Sequence, residues 1–333
     1  MVIRVGIIGL GVGERHIAGF EADERCRVVA LIDQDPAKLA EVSNRNPGRR
    51  TGSSADEILN DPEIDVVSIA SYDRDHHSQV MRAIEAGKHV FVEKPLCLFE
   101  NELQDIRSAL RRRPDIKLSS NLILRRTPRF IRLRERIQHG EMGEVYYLEG
   151  DYNYGRLHKI TEGWRGKQPY YSVVHGGAIH LLDLLMWLTG QRPAEVFAFG
   201  SRLATSGTSF SFNDCVAALL RFPSGMLAKV TANFACVMPH THLLSVYGTA
   251  ASFQHGPGGA ALYQSRSPDI APARIDDAYP GAEKGDLIPS FVRSILDGSE
   301  PEISAADVLD CMAVSLAIEA ALQTNAPVRV DYH

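Results

Sequence analysis

Lys94 is the residue whose position most clearly suggests chemistry. It ends the apolar run Phe91-Val92-Glu93 and is followed directly by Pro95, which restricts the backbone where the chain leaves a strand. In parallel α/β sheets, ligands bind beyond the carboxyl ends of the strands, where a lysine can hold a positive charge beside the ligand. An ordinary solvent-exposed lysine at the end of a strand is the alternative.

A glycine-rich turn near the N-terminus is suited to binding a pyrophosphate. The apolar run 2–10 ends in Gly9-Leu10-Gly11-Val12-Gly13, and residues 14–20 can form a helix. Glycines let the backbone approach a phosphate closely, and the start of a helix offers N–H groups and a positive dipole. The third glycine of the pattern G-x-G-x-x-G is displaced, because position 14 is Glu14. A glycine-rich turn without a ligand is the alternative.

Asp33 ends the second apolar run, 26–32, and lies 22 residues after Gly11. A carboxylate about 20 residues beyond such a turn accepts hydrogen bonds from the ribose hydroxyls of a dinucleotide, and it would repel a 2′-phosphate. The spacing therefore predicts NAD as the cofactor, with NADP disfavoured. An aspartate that caps a helix beginning near Pro36 is the alternative.

The elements that position these residues alternate between strands and helices, which predicts a doubly wound parallel sheet of the Rossmann type. Ser71 and His76 lie where the strand 64–70 gives way to the helix 75–85, at the edge of the sheet that binds ligands. For His76, a helix cap or a solvated side chain is the alternative. The expected cofactor-binding residues are Gly9, Gly11, Val12, Gly13, Asp33, Ser71, His76, Glu93 and Lys94.

The second half of the chain changes to a period of two, which predicts strands in a large, mainly antiparallel open sheet of an α+β domain. We place the boundary so that residues 1–123 form the dinucleotide-binding domain. Residues 124–333 then form the domain for substrate binding and oligomerisation, including the apolar-periodic helices at 287–296 and 305–322. The predicted strands are 145–152, 194–200, 215–222, 226–234 and 242–246.

A histidine enters an apolar helix directly after two glycines. At 100° per residue, His180, Asp183 and Trp187 share one face, and Gly176-Gly177 suggest that something approaches the backbone closely. A buried core histidine is the alternative. No metal site is expected from His180 and its neighbours, since their spacing is mixed and no further ligands are placed beside them.

Composition excludes several classes of partner. The net charge of −5 over 333 residues favours neither nucleic acid nor a membrane surface, and no apolar stretch approaches the roughly 18 to 20 residues of a membrane span. The N-terminus runs directly into a strand pattern without the features of a signal peptide. Five cysteines without C-x-x-C spacing indicate reduced thiols, a cytoplasmic location and no zinc site built on cysteine.

Taken together, the motifs resemble the Gfo/Idh/MocA family, which includes glucose–fructose oxidoreductase and inositol dehydrogenase. The resemblance spans nearly the whole chain and combines the glycine turn, Asp33 and four short motifs. These motifs are A-G-K-H-V at 86–90, E-K-P at 93–95, W-R at 164–165 and G-G-x-x-H-x-x-D at 176–183.

The resemblance implies an NAD(P)-dependent oxidoreductase that acts on a sugar, a cyclitol or a nucleotide-sugar derivative. Lys94 matches the catalytic lysine of the family and His180 its catalytic histidine, and the bond from Lys94 to Pro95 is expected to be cis. The chain departs from the family where an aspartate often lies four residues before the histidine, because this position is Gly176. An inactive NAD-binding sensor or corepressor is therefore the alternative function, and a lyase or glycosidase that uses NAD transiently is a third.

For a dehydrogenase, we expect the Lys94 ammonium to stabilise the charge that develops on the reacting oxygen, and His180 to act as general base. An apolar face on the open sheet predicts a homodimer or homotetramer. Besides Lys94 and His180, the expected substrate contacts are Tyr152, Tyr154, Arg156, His158, Trp164, Arg165 and His175.

Overall fold

The computed structural model describes residues 2–333 and separates the chain into two compact units. The first unit contains the residues up to Ile123 together with Glu283–Met312, and the second contains Leu124–Ala282 together with Ala313–His333. None of the helices described between residues 2 and 333 is both long and apolar enough to span a lipid bilayer.

The first unit is built on a sheet of six parallel strands. These strands are β1 (Ile3–Ile8), β2 (Cys26–Ile32), β3 (Arg50–Gly52), β4 (Val66–Ile69), β5 (His89–Val92) and β6 (Leu118–Ser120). Their order is β3-β2-β1-β4-β5-β6, so the chain winds outward from β1 in both directions, and the doubly wound prediction is confirmed. All four residues of β4 are buried, as expected for a strand covered on both faces.

One helix lies between each pair of consecutive strands in this unit. These helices are α1 (His16–Phe20), α2 (Pro36–Arg45), α3 (Asp56–Leu59), α4 (His76–Glu85) and α5 (Glu100–Arg112). The start of α2 shows why a helix forms there: Asp35 accepts hydrogen bonds from the backbone of Ala37 and Lys38, and Pro36 occupies the first turn, where its missing N–H costs nothing. Asp35, rather than Asp33, is therefore the cap of this helix.

The second unit is built on nine strands that are mainly antiparallel, which confirms the predicted sheet type. The strands are β7 (Val145–Asn153), β8 (Glu195–Ser201), β9 (Cys215–Arg221), β10 (Leu227–Asn233), β11 (Thr241–Gly248), β12 (Ser252–Gly256), β13 (Gly259–Tyr263), β14 (Ala273–Ile275) and β15 (Val328–Arg329). Their order is β14-β13-β12-β11-β7-β10-β9-β8-β15, and only β7 and β10 run parallel among the paired strands described. A tight turn around Gly225, whose φ is +89°, joins β9 to β10.

Side chains of this sheet alternate between a buried and an exposed face. On β9, Val216, Ala218 and Leu220 are buried, whereas Leu219 is 57% exposed. The buried face packs against helices of the same unit. Before β8, the chain of this unit forms the helices α6 (Pro128–Gln138), α7 (His158–Thr161) and α8 (Ile179–Thr189). Leu181 of α8 lies directly over Gly150 of β7, where a Cβ would approach its side chain to 3.3 Å.

The helix that carries His180 begins irregularly. Residues Val174–Ala178 form a π-helical turn that continues into α8, and the Ile179 N–H donates to the carbonyl of Val174 five residues earlier. The sequence predicted a regular helix through this stretch. A π-turn widens the helix and shifts the faces of the residues before it, so angular positions counted at 100° per residue do not apply across this turn.

Residues Glu283–Met312 fold with the first unit, whereas the sequence placed all residues from 124 to 333 in one domain. The chain then forms α9 (Ile288–Asp297) and α10 (Ala305–Thr324), and the division between the units falls inside α10. The ring of Phe291 in α9 packs on Phe91 of β5 with 5.6 Å between centroids. An apolar periodicity identifies such a helix but does not say which sheet its apolar face will cover.

Candidate active site

The glycine turn that follows β1 has the shape required to bring backbone close to a ligand. Gly9 has a φ of +86°, and a Cβ on it would lie 2.3 Å from the carbonyl oxygen of Ala70 at the end of β4. A Cβ on Gly13 would lie 2.8 Å from the side chain of Ile7, so both positions need glycine. Gly11, by contrast, has no heavy atom within 4 Å of its Cβ position, which leaves its backbone open to a phosphate.

Glu14 occupies the position at which the motif has its third glycine, and its contacts explain why a side chain can be accommodated there. The Glu14 carboxylate accepts hydrogen bonds from the guanidinium of Arg45 at 2.8 and 2.9 Å and lies 3.7 Å from the Lys38 ammonium. Both basic residues belong to α2. The side chain at position 14 therefore points toward α2, so it leaves the open part of the turn unobstructed.

Asp33 follows β2 and links its end to the glycine turn. Its Oδ2 accepts a hydrogen bond from the Leu10 N–H at 2.7 Å, and its Oδ1 accepts one from the Asp35 N–H at 2.8 Å. A carboxylate offers about four acceptor positions, so two remain for further donors. The half-buried Asp33 is thus fixed in orientation and can still accept from ribose hydroxyls.

Ser71 and His76 lie at the same edge of the sheet, after β4. His76 is fully buried, with Nδ1 at 2.6 Å from the carbonyl oxygen of Pro95 and Nε2 at 3.3 Å from that of Ser71. The Ser71 hydroxyl donates to Gln79 at 2.8 Å. The side chain of His76 therefore links the end of β4 to the segment after Lys94.

Glu93 is a buried carboxylate at the carboxyl end of β5. Its Oε1 accepts from Asn121 Nδ2 at 2.7 Å and lies 3.2 Å from Nε2 of His16, whose Nδ1 lies 2.9 Å from the hydroxyl of Ser68. Burial alone would raise the pKa of Glu93. The hydrogen bond from His16, the charges of His16 and Lys284 and the Asn121 amide outweigh it and lower the pKa to about 2.

Lys94 follows this anchored carboxylate and leaves the sheet beside the glycine turn. The N–H of Glu93 donates to the carbonyl of Ile69 at 2.8 Å, one residue before the Ala70 carbonyl that Gly9 approaches. Lys94 is half-buried, and its bond to Pro95 is cis, as the resemblance predicted. A lysine side chain, the open Gly11 backbone and a carboxylate thus lie along one edge of one sheet.

In the second unit, His180 is buried within a group of aromatic rings. Its imidazole stacks on Tyr152 of β7, with 6.3 Å between ring centroids, and meets the edge of His242 of β11 at 6.4 Å. His242 Nδ1 lies 2.7 Å from the hydroxyl of Tyr279. Gly177 makes this packing possible, because a Cβ there would lie 2.5 Å from the Tyr152 ring.

The two other residues on the predicted face of the helix have structural contacts. Asp183 is fully buried and accepts two hydrogen bonds from Arg125 Nε and Nη2, the former at 2.9 Å. The guanidinium of Arg134 lies over the ring of Trp187, 4.5 Å from its centroid. These contacts hold α8 against α6 and against the segment that precedes α6. Of the three residues predicted to share this face, His180 is the one that lies in the group of rings around Tyr152.

The predicted substrate residues form two groups: those at positions 152–165 and, separately, His175. Arg156 lies over the ring of Tyr154 at 5.3 Å and Arg165 over Trp164 at 4.6 Å, while His158 is exposed at the start of α7. Burial raises the pKa of the Tyr152 phenol, and the positive charges of Arg165 and Arg156 partly oppose this effect. Both arginines therefore interact electrostatically with the tyrosine whose ring stacks on His180. The remaining residue, His175, is buried and its Nδ1 lies 2.7 Å from the hydroxyl of Ser315 in α10.

Comparison with known proteins identifies the family to which these two units belong. A sequence profile described as an oxidoreductase family with an NAD-binding Rossmann fold matches residues 3–121, and a GFO/IDH/MocA C-terminal domain profile matches residues 130–254. The chain belongs to the GFO/IDH/MocA oxidoreductase family. The family resemblance seen in the sequence is thereby confirmed, and this family member is an NAD-binding oxidoreductase.

Two related sequences and one solved structure match this GFO/IDH/MocA protein over nearly its whole length. Myo-inositol 2-dehydrogenase of Thermotoga maritima is 24% identical over 354 residues, which cover 99% of both chains. The 1,5-anhydro-D-fructose reductase of Ensifer adhaerens is 25% identical, with 98% of both chains covered. A structure of levoglucosan dehydrogenase in complex with NADH and L-sorbose shares the fold with a TM-score of 0.86 at 21% identity, and 99% of each chain is covered.

Sequence reasoning missed several side chains that surround the predicted residues of this family member. His16 and Asn121 hold Glu93, and His242, whose Nδ1 lies 2.7 Å from the Tyr279 hydroxyl, lies beside His180. A buried glutamate at the end of an apolar strand does signal that donors must lie nearby, because a buried charge needs hydrogen-bonded partners. No comparable signal marked His242, whose position opposite Tyr152 depends on the pairing of β11 with β7.

Proposed function

We propose that this protein is an NAD-dependent dehydrogenase or reductase that transfers a hydride between the cofactor and a secondary alcohol or ketone of a sugar, cyclitol or nucleotide-sugar derivative. One observation carries the proposal: Lys94 leaves the parallel sheet at the edge that also bears the open glycine turn and Asp33. The names of two near-full-length relatives, a myo-inositol 2-dehydrogenase and a 1,5-anhydro-D-fructose reductase, support the substrate class.

The glycine turn and Asp33 would hold the cofactor. The open backbone at Gly11 can approach the pyrophosphate, and the remaining acceptor positions of Asp33 can receive the ribose hydroxyls. The charge of Asp33 opposes a 2′-phosphate, which favours NAD over NADP. When it is bound, NAD supplies the group that accepts a hydride in oxidation and donates one in reduction. Val12, Ser71 and His76 remain predicted contacts at this edge of the sheet.

Lys94 and His180 would manage the charge and the proton of the reacting hydroxyl. The Lys94 ammonium donates a hydrogen bond to the reacting oxygen and stabilises the negative charge that develops there. His180 takes the hydroxyl proton in oxidation and returns it in reduction, a role suited to imidazole near neutral pH. Arg156, Trp164 and Arg165 would contact the ring or the substituents of the substrate.

A screen for cofactor reduction tests this function. The wild-type protein is incubated with NAD and, in separate reactions, myo-inositol, scyllo-inositol and levoglucosan, while 1,5-anhydro-D-fructose is tested with NADH. Formation or consumption of NADH with at least one compound, lost in His180→Ala, is the expected result. Tight binding of NADH without turnover of any compound by the wild type would instead favour the inactive sensor.

The exposed face of the nine-stranded sheet supports the expected homodimer or homotetramer. Phe199 of β8 and Leu219 of β9 are 63% and 57% exposed on adjacent strands, and a second copy of the chain would bury them. Leu219→Lys should lower the mass measured by analytical ultracentrifugation to that of a monomer. Leu203→Lys is the matched control, because Leu203 is 82% exposed outside the strands. An unchanged mass in Leu219→Lys would count against this interface.

The setting proposed for this activity follows from composition. All five cysteines are present as free thiols, which agrees with a cytoplasmic location. The partners proposed are a small polyol or sugar and further copies of the chain. With a net charge of −5, neither nucleic acid nor a membrane surface is proposed as a partner.

A further inference from the structure

The Tyr279 hydroxyl contacts both the backbone and the side chain of His242. The His242 N–H donates to Tyr279 Oη at 2.9 Å, and His242 Nδ1 lies 2.7 Å from the same oxygen. Both residues belong to the second unit, where His242 lies on β11 and Tyr279 follows β14. Two contacts with one oxygen fix the orientation of the His242 imidazole relative to its own strand.

The ring that carries this hydroxyl is held on several sides. It contacts the ring of His255 at 4.2 Å and that of Phe130 at 5.9 Å between centroids. The Arg129 guanidinium lies over the ring of Tyr279, 5.8 Å from its centroid, and donates to the carbonyl of Asp277 at 2.7 and 3.0 Å. Packed rings have little freedom to turn away, so the Tyr279 hydroxyl is in place before any ligand binds.

The hydrogen bonds at Tyr279 Oη decide which nitrogen of His242 carries the proton. Burial raises the pKa of Tyr279, and hydrogen bonds with the His242 N–H and the Thr241 side chain oppose this effect. A hydrogen bond that lowers the pKa of a phenol is one that is donated to its oxygen. The oxygen thus accepts twice, and its single proton is left for His242 Nδ1. Nδ1 is then an acceptor, so the proton of this imidazole is on Nε2.

His242 also contacts the group of rings that contains His180. Its ring meets the edge of Tyr152 at 5.2 Å and that of His180 at 6.4 Å between centroids. Nδ1 and Nε2 lie on different sides of an imidazole ring, and Nδ1 faces the Tyr279 hydroxyl. A contact of this imidazole with a ligand is therefore made through Nε2–H.

The neighbouring His240 has the opposite arrangement. Its ring is 5.0 Å from that of His242, and its Nδ1 lies 3.2 Å from the carbonyl oxygen of Asn153. A carbonyl oxygen can only accept, so Nδ1 of His240 carries the proton and the Nε2 of its neutral form is an acceptor. Of these two neutral imidazoles, His242 is therefore the one that offers an N–H through Nε2.

We propose that His242 is a substrate-binding residue that donates a hydrogen bond from Nε2 to the hydroxyl next to the reacting one, and that Tyr279 is its positioning residue. The inference rests on the proposed function, in which His180 moves the proton of the reacting hydroxyl. The two imidazole centroids are 6.4 Å apart, and each ring nitrogen reaches an oxygen at about 3 Å. This spacing suits two hydroxyls on adjacent carbons. The substrate class is therefore a sugar or cyclitol with a free hydroxyl beside the carbon that is oxidised.

Two amide substitutions separate substrate binding from support of the fold. The amide nitrogen of glutamine can take the place of imidazole Nε2, whereas the shorter asparagine reaches only the place of Nδ1, beside Tyr279. Kinetics are measured with whichever of myo-inositol, scyllo-inositol and levoglucosan is oxidised. In His242→Asn, we expect KM to rise about tenfold while kcat changes less than about threefold, and in His242→Gln, KM should stay within about threefold of wild type. A purely structural His242 would give the reverse order of KM, and that order, or equal KM in all three proteins, would overturn the proposal.

Removal of the Tyr279 oxygen tests the positioning role. In Tyr279→Phe the ring stays in place but both contacts with His242 are lost, so KM should rise about threefold with kcat nearly unchanged. Tyr332→Phe is the matched control, because it removes a hydroxyl that donates to the carbonyl of Pro193 at 2.8 Å, and its KM should equal that of wild type. A KM in Tyr279→Phe equal to that of Tyr332→Phe would overturn the role of Tyr279.

Nitrogen-15 NMR of the ligand-free protein tests the tautomer without turnover, with His242→Gln used to assign the signals. Spectra are recorded at about pH 8 to favour neutral imidazoles. Wild type should show His242 predominantly with the proton on Nε2, and Tyr279→Phe a mixture of tautomers. His240 should keep its proton on Nδ1 in both proteins and is the internal reference. A proton on Nδ1 of His242 in wild type, or an unchanged tautomer in Tyr279→Phe, would contradict the assignment.

Addition of ligand distinguishes failure of this inference from failure of the proposed function. The NADH complex is titrated separately with myo-inositol, scyllo-inositol and levoglucosan while the Nε2 signal of His242 is followed. A shift with a compound that is also oxidised supports both. A shift without turnover of any compound supports the substrate contact and overturns only the hydride transfer. An unmoved signal with a compound that is oxidised overturns the inference alone, and an unmoved signal without any turnover overturns both.

Discussion

Replacement of Glu93 by glutamine should destabilise the first unit by removing one buried charge. The Glu93 carboxylate receives the Asn121 amide at 2.7 Å and lies 3.2 Å from His16 Nε2, and all three side chains are buried. Burial opposes ionisation, but His16, Lys284 and Asn121 outweigh it, so the pKa falls from 4.5 to about 2. The fold therefore stabilises the ionised carboxylate, and an uncharged amide of the same size cannot replace it.

The size of the effect follows from the pKa. At about 1.4 kcal/mol per pH unit, the difference between 4.5 and about 2 corresponds to ~3 kcal/mol of stability at neutral pH. Glutamine keeps the volume and one acceptor oxygen, so the Asn121 hydrogen bond can persist while the charge interactions are lost. We expect Glu93→Gln to lower the free energy of unfolding by ~2–3 kcal/mol at pH 7.

The pH dependence has a defined sign. Because the folded-state pKa is lowered, the contribution of Glu93 is present above about pH 4.5 and is lost as the pH falls toward about 2. Urea unfolding followed by far-UV circular dichroism should therefore show a stability gap between wild type and Glu93→Gln of ~2–3 kcal/mol at pH 7, which narrows to ~1 kcal/mol near pH 3.

A surface carboxylate provides the control for this experiment. Glu63 pairs with Arg4 at 3.1 Å, but both side chains are largely exposed, so Glu63→Gln should change stability by no more than about 0.5 kcal/mol. Equal stability of wild type and Glu93→Gln at pH 7, or a gap that does not narrow with acid, would refute the reasoning.

Three further predictions concern other charged groups. Asp33→Ser should lower the ratio of kcat/KM with NAD to kcat/KM with NADP by about tenfold or more, because the charge that opposes a 2′-phosphate is gone; an unchanged ratio would exclude this role of Asp33. Arg125→Ala should lower the free energy of unfolding by ~3–5 kcal/mol, because Asp183 is fully buried and loses its paired guanidinium. Arg136→Ala is the control: it removes a partly exposed partner of Glu141 and should cost under about 1 kcal/mol. Burial raises the pKa of Glu319, so the contribution of this carboxyl to stability is present at low pH and is lost as the pH rises. The free energy of unfolding of Glu319→Gln should therefore rise relative to that of wild type between pH 5 and pH 8. Urea unfolding in which this free-energy difference instead falls with pH would contradict the prediction.

Much of the fold could be predicted because its signals are local. Continuous apolar runs ending in Gly9 or Asp33 identify buried parallel strands, and the change to a period of two after residue 145 identifies a sheet with one exposed face. The assignment of 283–312 could not be predicted in this way. Its helix α9 meets Phe91 through a contact between residues about 200 positions apart, which no local pattern encodes.

The candidate site was predictable where the backbone imposes a residue type. Gly9 and Gly13 are required by close approach, and Lys94 follows a strand at the ligand-binding edge, so their types and spacing carry information. The partners of these residues depend on packing. The π-turn at Val174–Ala178 and the packing of Tyr171 in the space beside Gly176 arise from tertiary contacts, and a helical wheel cannot represent either of them.

One comparison tests the central claim most directly: turnover and NADH affinity measured side by side in Lys94→Ala and in Lys117→Ala. Lys117 lies just before β6, and its ammonium is 3.7 Å from the exposed Glu300. We predict that Lys94→Ala loses at least about a thousandfold in kcat, binds NADH within about threefold of wild type, and keeps the wild-type thermal midpoint, while Lys117→Ala matches wild type in all three. Near-normal kcat in Lys94→Ala would contradict the assignment of this lysine to the chemical step.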